Sequence, residues 1–277
     1  EGALSRWLGQ TGAVLTNDAS LPYRGTLYDA IMVNSYKALG FMALGQPENA
    51  RVELNRARDR QRRAVDAYAE QIRAEQRALT KKDRANQEVD LDATLARAHR
   101  EMAGEYTQLS RWAVYPDYVN PLATWLEGPF LMTHNQAPGD FEKATDALER
   151  VAGMVPENQW VRKDYEWAND LASGRKRYHR LPPTVWVLYE KGQGPLKVER
   201  RVQLPVLFSH SGTSAIYTGF AYPMLRYRTG VNSSLSVRAN GQETARTDVV
   251  SDMQAVISTE FSRRLPRIVT RAVAASL

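Results

Sequence analysis

Residues 24–64 read RGTLYDAIMVNSYKALGFMALGQPENARVELNRARDRQRRA, and the fold hangs on this stretch. Leu27, Ile31, Tyr36, Leu39 and Ala43 recur every three to five positions, Gly45-Gln46-Pro47 interrupts the run, and a second amphipathic run starts at Glu48. The pattern predicts an αα-hairpin. Gly45 suits the left-handed residue that closes a helix, and Pro47 supplies the fixed φ tolerated in the first turn of the next one.

Downstream of the turn, Glu48 to Leu79 contains no Gly or Pro and carries Leu54, Ala57, Gln61, Val65, Tyr68, Ile72 and Leu79 at three-four spacing. A single helix of that length spans about 48 Å, longer than its partner over 26–44 can cover. The stripe Leu95, Ala98, Met102, Tyr106, Leu109 and Ala113 is the expected second partner. Together they predict a projecting antiparallel helical hairpin over about 62–113, with the polar run Thr80–Gln87 at its tip. A second helix-turn-helix follows: Leu122, Trp125, Leu126, Phe130 and Leu131, a turn over Asn135–Gly139, then Phe141, Ala144, Ala147, Leu148 and Val151. A third helix is expected over about Gln159–Ala172. Upstream, Glu1–Leu15 reads as a short helix or docked segment and Asn17–Gly25 as a loop.

Past the basic link Gly174–Arg180 the periodicity shortens to that of strands. Thr184–Tyr189 and Leu196–Leu204 are expected to form a hairpin, Ala215–Tyr222 and Leu235–Ala239 further strands, and Asn240-Gly241 a two-residue turn into Glu243–Thr247. A sheet of about four or five strands results. Ser251–Arg263 and Ile268–Leu277 return to helix spacing as two short helices. The predicted class is α+β: a helical domain over 1–173 and a small α+β domain over 181–277.

The 277 residues and 31.3 kDa suffice for one large or two ordinary domains, and 43% hydrophobic content is that of a globular core. No run approaches the roughly 18 apolar residues of a membrane span. The chain has no Cys, which removes disulfides, thiolate metal sites and a Cys nucleophile. Residue 1 is Glu, so an upstream signal, anchor or tag is expected to have been removed. The net charge of +6 and pI near 9.5 come mostly from Arg, in clusters over 51–63 and 175–180, and permit anionic partners.

The sequence carries no phosphate loop, zinc-protease motif, nucleophile elbow or calcium loop. His99, His134, His179 and His210 are dispersed, and neither a metal nor a cofactor is expected. Ser209–Ser214 places hydroxyls beside His210, but neighbours in sequence do not make a catalytic pair, and a polar loop is the expected role. Asp164 and Glu166 lie two apart on a helix and face different directions. Glu53 and Arg56 stand at i,i+3, where a structural ion pair is preferred over a buried polar anchor. Helical rotation spreads the Arg51–Arg63 charges over several faces, and Tyr222, Arg226, Tyr227 and Arg228 fit a packing cluster better than a base-stacking platform; nucleic acid is not an expected partner. Trp112, Trp125, Trp160, Trp167 and Trp186 are expected at helix crossings. Tyr36, Glu53, Arg56, Trp125, Trp160 and Trp167 are the candidate protein-binding residues, because rigid aromatics dominate interfaces wherever they line a concave face.

Further residues carry a resemblance. Asn17-Asp18, Tyr23-x-Gly25-x-x-Tyr28, Tyr36-Lys37-Ala38-Leu39, Ala50-Arg51-Val52-Glu53-x-x-Arg56, Gln61, Asn120-Pro121-x-Ala123-x-x-Leu126-x-Gly128, Val151–Pro156 and Tyr189-Glu190-x-Gly192-x-x-Pro195 occur in this order. In this the chain resembles a family of bacterial tetratricopeptide-like envelope lipoproteins, often encoded near lipoproteins similar to penicillin-binding-protein activators. The resemblance implies tetratricopeptide-like hairpins, a periplasm-facing protein lipid-anchored to the outer membrane, and no enzyme. Asp29 stands where the family has Glu, the lipobox Cys is missing, and family members continue into more β structure after the position of Leu277. The expected function is a non-catalytic periplasmic scaffold binding other envelope proteins, possible partners being lipoproteins or the cell-wall synthesis machinery; the alternative is a protein that binds or processes cell-wall glycan, with peptidoglycan as partner.

Overall fold

The computed structural model describes residues 25–83, 91–113, 115, 119–206, 216–228 and 234–276. The expectations for Glu1–Leu15, Asn17–Arg24 and Ser209–Ser214, and for residues 84–87 of the arm tip, lie outside these residues.

Helix α1 (Leu27–Ala43) and helix α2 (Pro47–Asp83) form the hairpin around Gly45, whose φ of 66° lies in the left-handed region that glycine reaches without strain. α1 turns Ile31, Asn34, Ser35 and Ala38 inward. Its N-terminus is held twice: the Asp29 carboxylate accepts from the Thr26 N–H at 2.8 Å, and Glu260, far along the chain, accepts from the Leu27 and Tyr28 amides at 3.3 and 3.0 Å. α2 has 37 residues and runs about 55 Å.

Helices α5 (Pro121–Thr133), α6 (Asp140–Met154) and α7 (Gln159–Ala172) follow the expected helix-turn-helix and third helix closely. They stack on the hairpin in one core that gathers Ala38, Ala50, Leu54, Trp125, Leu126, Phe130, Leu148, Val151, Val161 and Leu171. Gly128 allows α5 and α6 to approach: a Cβ there would lie 2.7 Å from both Leu148 methyls. Asn120, fully buried, caps α5 by accepting from the Leu122 amide at 3.0 Å, and its own N–H donates to Gln61 of α2 at 2.7 Å.

The return stripe departs from expectation. It forms two helices, α3 (Leu91–Glu101) and α4 (Ala103–Trp112), broken at buried Met102. Ala98, Met102 and Leu109 join Tyr222, Met224, Leu225, Phe261, Leu265 and Val269 in a second core, which draws on both sides of the boundary expected between residues 173 and 181.

The α+β class holds, with β structure arranged as two antiparallel ribbons. β1 (Leu196–Val206) pairs with β2 (Ile216–Arg226) from Leu196↔Arg226 to Val206↔Ile216, and β3 (Ser236–Ala239) with β4 (Gln242–Arg246). The single sheet of four or five strands is thereby corrected. Pro205 does not end β1, because in a two-stranded ribbon each strand has a free edge where a missing N–H is harmless. Asn240-Gly241 turns β3 into β4 as expected, with φ of 51° and 80°. Thr184–Tyr189 is not a strand: residues 182–195 run with neither strand, turn nor bend. The two helices expected at the end are one, α8 (Met253–Ser276), which passes through Pro266. The Thr270 hydroxyl donates to the Pro266 carbonyl at 2.8 Å, one turn after the proline.

Candidate interaction surface

Each buried carboxylate of the helical core is already occupied. Glu53 is only 2% exposed and accepts from Lys37 Nζ and Arg56 Nη1, both at 2.6 Å, and from Asn34 Nδ2. The ion pair expected with Arg56 is present, and the carboxylate is in addition the buried anchor of the α1–α2 hairpin. Burial opposes its ionisation, but Lys37 and Asn34 outweigh that and hold the pKa below the usual value. Asp140, at the start of α6, takes both Arg51 nitrogens at 3.2 and 3.0 Å and the Gln136 and Ala137 amides at 3.1 and 3.0 Å. Against the cost of burial, Arg51 and the two amides lower its pKa as well. Glu127 meets Arg58 at 2.6 Å, and there burial wins and raises the pKa.

Among the described residues, Asp164 has no cation in contact. Its carboxylate lies between two indoles, Trp125 Nε1 donating to Oδ2 at 2.9 Å and Trp186 Nε1 to Oδ1 at 3.1 Å. Burial raises its pKa against both hydrogen bonds. Sequence spacing separated Asp164 from Glu166 correctly, but did not indicate that two tryptophans from distant segments would share it. The available signal was an acidic residue on the apolar face of α7, between Val161 and Ala168.

Trp186 fastens the segment 181–195 onto the helices. Leu181 and Trp186 pack on the first core, Glu190 accepts from the Tyr36 hydroxyl at 2.8 Å, and Gly194 reaches Ile257 of α8. The segment is a strap laid from α7 past α1 to the C-terminal helix.

The candidate binding residues divide accordingly. Trp125 is in the core and Glu53 is buried in α2. Trp160 is half-buried and donates to the Arg246 carbonyl at 2.8 Å, docking the β3–β4 ribbon on α7. Trp167 is half-buried under Lys163, whose Nζ lies 4.9 Å from the ring centroid. Tyr36 and Arg56 reach the surface. Around Tyr36, the outer face of α1 presents Val33, 57% exposed, and Leu44, 70% exposed, with Val52 of α2 nearby in sequence and also exposed. Val33, Tyr36, Gly40 and Leu44 fall at three-four spacing, so they make one stripe. Through the Tyr36–Glu190 bond this stripe adjoins the strap, whose Val185, Val187, Leu188 and Tyr189 are exposed too. Among the described residues, no group of three or more His, Asp or Glu side chains is placed to hold a metal ion.

Searches against protein-family models, curated proteins and solved structures find no significant match.

Proposed function

We propose that this chain is a non-catalytic scaffold of the bacterial cell envelope that binds other envelope proteins through the outer face of its first helical hairpin. The observation that carries the reading is the apolar stripe Val33, Tyr36 and Leu44 on α1, left uncovered although both cores bury apolar residues efficiently. Exposed apolar side chains gathered on one helix face, beside rigid aromatics, suit a protein contact. The internal saturation of Glu53, Asp140 and Asp164 supports the same reading, since a carboxylate held by two or more donors is placed for architecture. Tetratricopeptide-like hairpins, periplasmic residence and an outer-membrane lipid anchor belong to this proposal through the family resemblance.

Photocrosslinking tests it. A crosslinkable residue placed at Val33, Leu44 or Val52 in cells should capture the same discrete envelope protein, and one placed at exposed Glu149 on α6 should not. Equal or absent capture at all four positions overturns the proposal. Sedimentation with purified sacculi at low salt addresses the glycan alternative, which requires binding that survives loss of the α1 stripe.

A further inference from the structure

Residues 184–189 read TVWVLY, six β-formers bounded by Pro182-Pro183 and Pro195. Such a sequence is normally half of a ladder, yet among the described residues no strand pairs with it. Among the described residues, no backbone N–H or C=O of 183–195 takes part in a hydrogen bond within the chain. Val185 is 86% exposed, and Val187, Leu188 and Tyr189 about half that, whereas Trp186 points into the first core. An unpaired backbone edge flanked by β-branched side chains is a template for another strand.

The edge is also held in place. Two prolines fix φ at its start, Trp186 is fastened to Asp164, and Glu190 is fastened to Tyr36. Much of the ordering that strand addition requires has therefore been met before a partner arrives.

Charge selects the partner. Arg177 and Arg180 precede the edge, Lys191 and Lys197 follow it, and all four are exposed with no ion-pair partner among the described residues. A second copy pairing antiparallel about Trp186–Val187 would bring the two basic ends together, which disfavours self-association. An extended segment with acidic ends would meet opposite charge at both.

We infer that residues 184–189 accept a β-strand from a partner protein, an extended peptide with alternating apolar side chains and carboxylates at both ends. This rests on the protein-binding reading above and names the chemistry of what is bound.

The probe is the synthetic peptide EEVTVTVTEE, compared with KKVTVTVTKK. The first should bind saturably and slow amide exchange across 184–189; the second should not. Val187→Pro removes an N–H that has no partner in the fold, so the protein should fold unchanged, while affinity for the acidic peptide falls about tenfold or more. Val187→Thr, which keeps the N–H, should retain binding. Equal binding of both peptides, undiminished binding to Val187→Pro, or no saturable binding overturns the inference. Sedimentation that reveals a dimer abolished by Val187→Pro also overturns it, assigning the edge to a second copy. Crosslinks from Val33 and Leu44 that persist in Val187→Pro leave the scaffold reading standing when the strand inference fails, and their absence in the unaltered protein removes the scaffold reading itself.

Discussion

The indole of Trp186 donates to Asp164 across a 3.1 Å hydrogen bond, joining a segment without secondary structure to the buried face of α7. That bond fixes where the chain goes after its helices. Trp186→Phe keeps most of the packing and removes the donor, leaving Asp164 with the Trp125 indole alone. The expected cost is about 1 kcal/mol in unfolding free energy, with faster proteolytic cleavage within 184–190. Denaturant titration and limited proteolysis measure the two effects, and unchanged cleavage would show that Trp186 does not hold the strap.

Asp164 and Asp140 give opposite pH dependences. Burial raises the Asp164 pKa, so the folded state binds this proton more tightly than the unfolded chain does. Its contribution to stability is full below the unfolded pKa and is lost as pH rises through the folded value. Asp140 is lowered, so its contribution is present above the unfolded pKa and is lost as pH falls through the folded value. Relative to Asp164→Asn, the wild type should therefore gain stability on going from about pH 7 to about pH 4, and relative to Asp140→Asn it should lose stability below about pH 4. Unfolding midpoints of the three proteins across this range check both signs.

Gly128→Ala should destabilise the protein by about 1–3 kcal/mol, because the new methyl enters space held by fully buried Leu148. In a Leu148→Ala background the same change should cost little, as the truncated side chain leaves room. A double-mutant cycle read by urea unfolding gives the coupling, and additive costs would mean that the penalty at Gly128 does not arise from contact with Leu148.

Glu260 of α8 holds the first turn of α1, so Glu260→Ala should loosen an element more than two hundred residues away in sequence. The expected loss is about 1–2 kcal/mol, with enhanced exchange in the first turn of α1. Exchange enhanced only within α8 would contradict the assignment.

Helix pairing was legible in the sequence because its causes are local. Gly45, Pro47 and the three-four spacing on either side dictate the α1–α2 hairpin; Asn120-Pro121 and Gly139 mark the starts of α5 and α6; Asn240-Gly241 dictates its turn. Even the packing of Glu53 with Arg56 followed from helical rotation. Periodicity shows which face of α3 and α4 is apolar, but α2, β2 and α8 all offer a surface to that face. Only the assembled second core shows that β2 and α8 cover it.

The strap shows the same division most sharply. β-propensity in TVWVLY is a statement about side chains on a pleated surface, and it names no neighbour. Whether those residues enter a ladder depends on where Trp186 is anchored, and that is set by Asp164 and Trp125, more than twenty and sixty positions away. Local rules therefore wrote the helices, the turns and the apolar faces of this protein. Tertiary structure alone decided which faces meet, which carboxylates are silenced by distant donors, and which strand-forming segment was left with an open edge, because each of these is a contest between surfaces brought together only by folding.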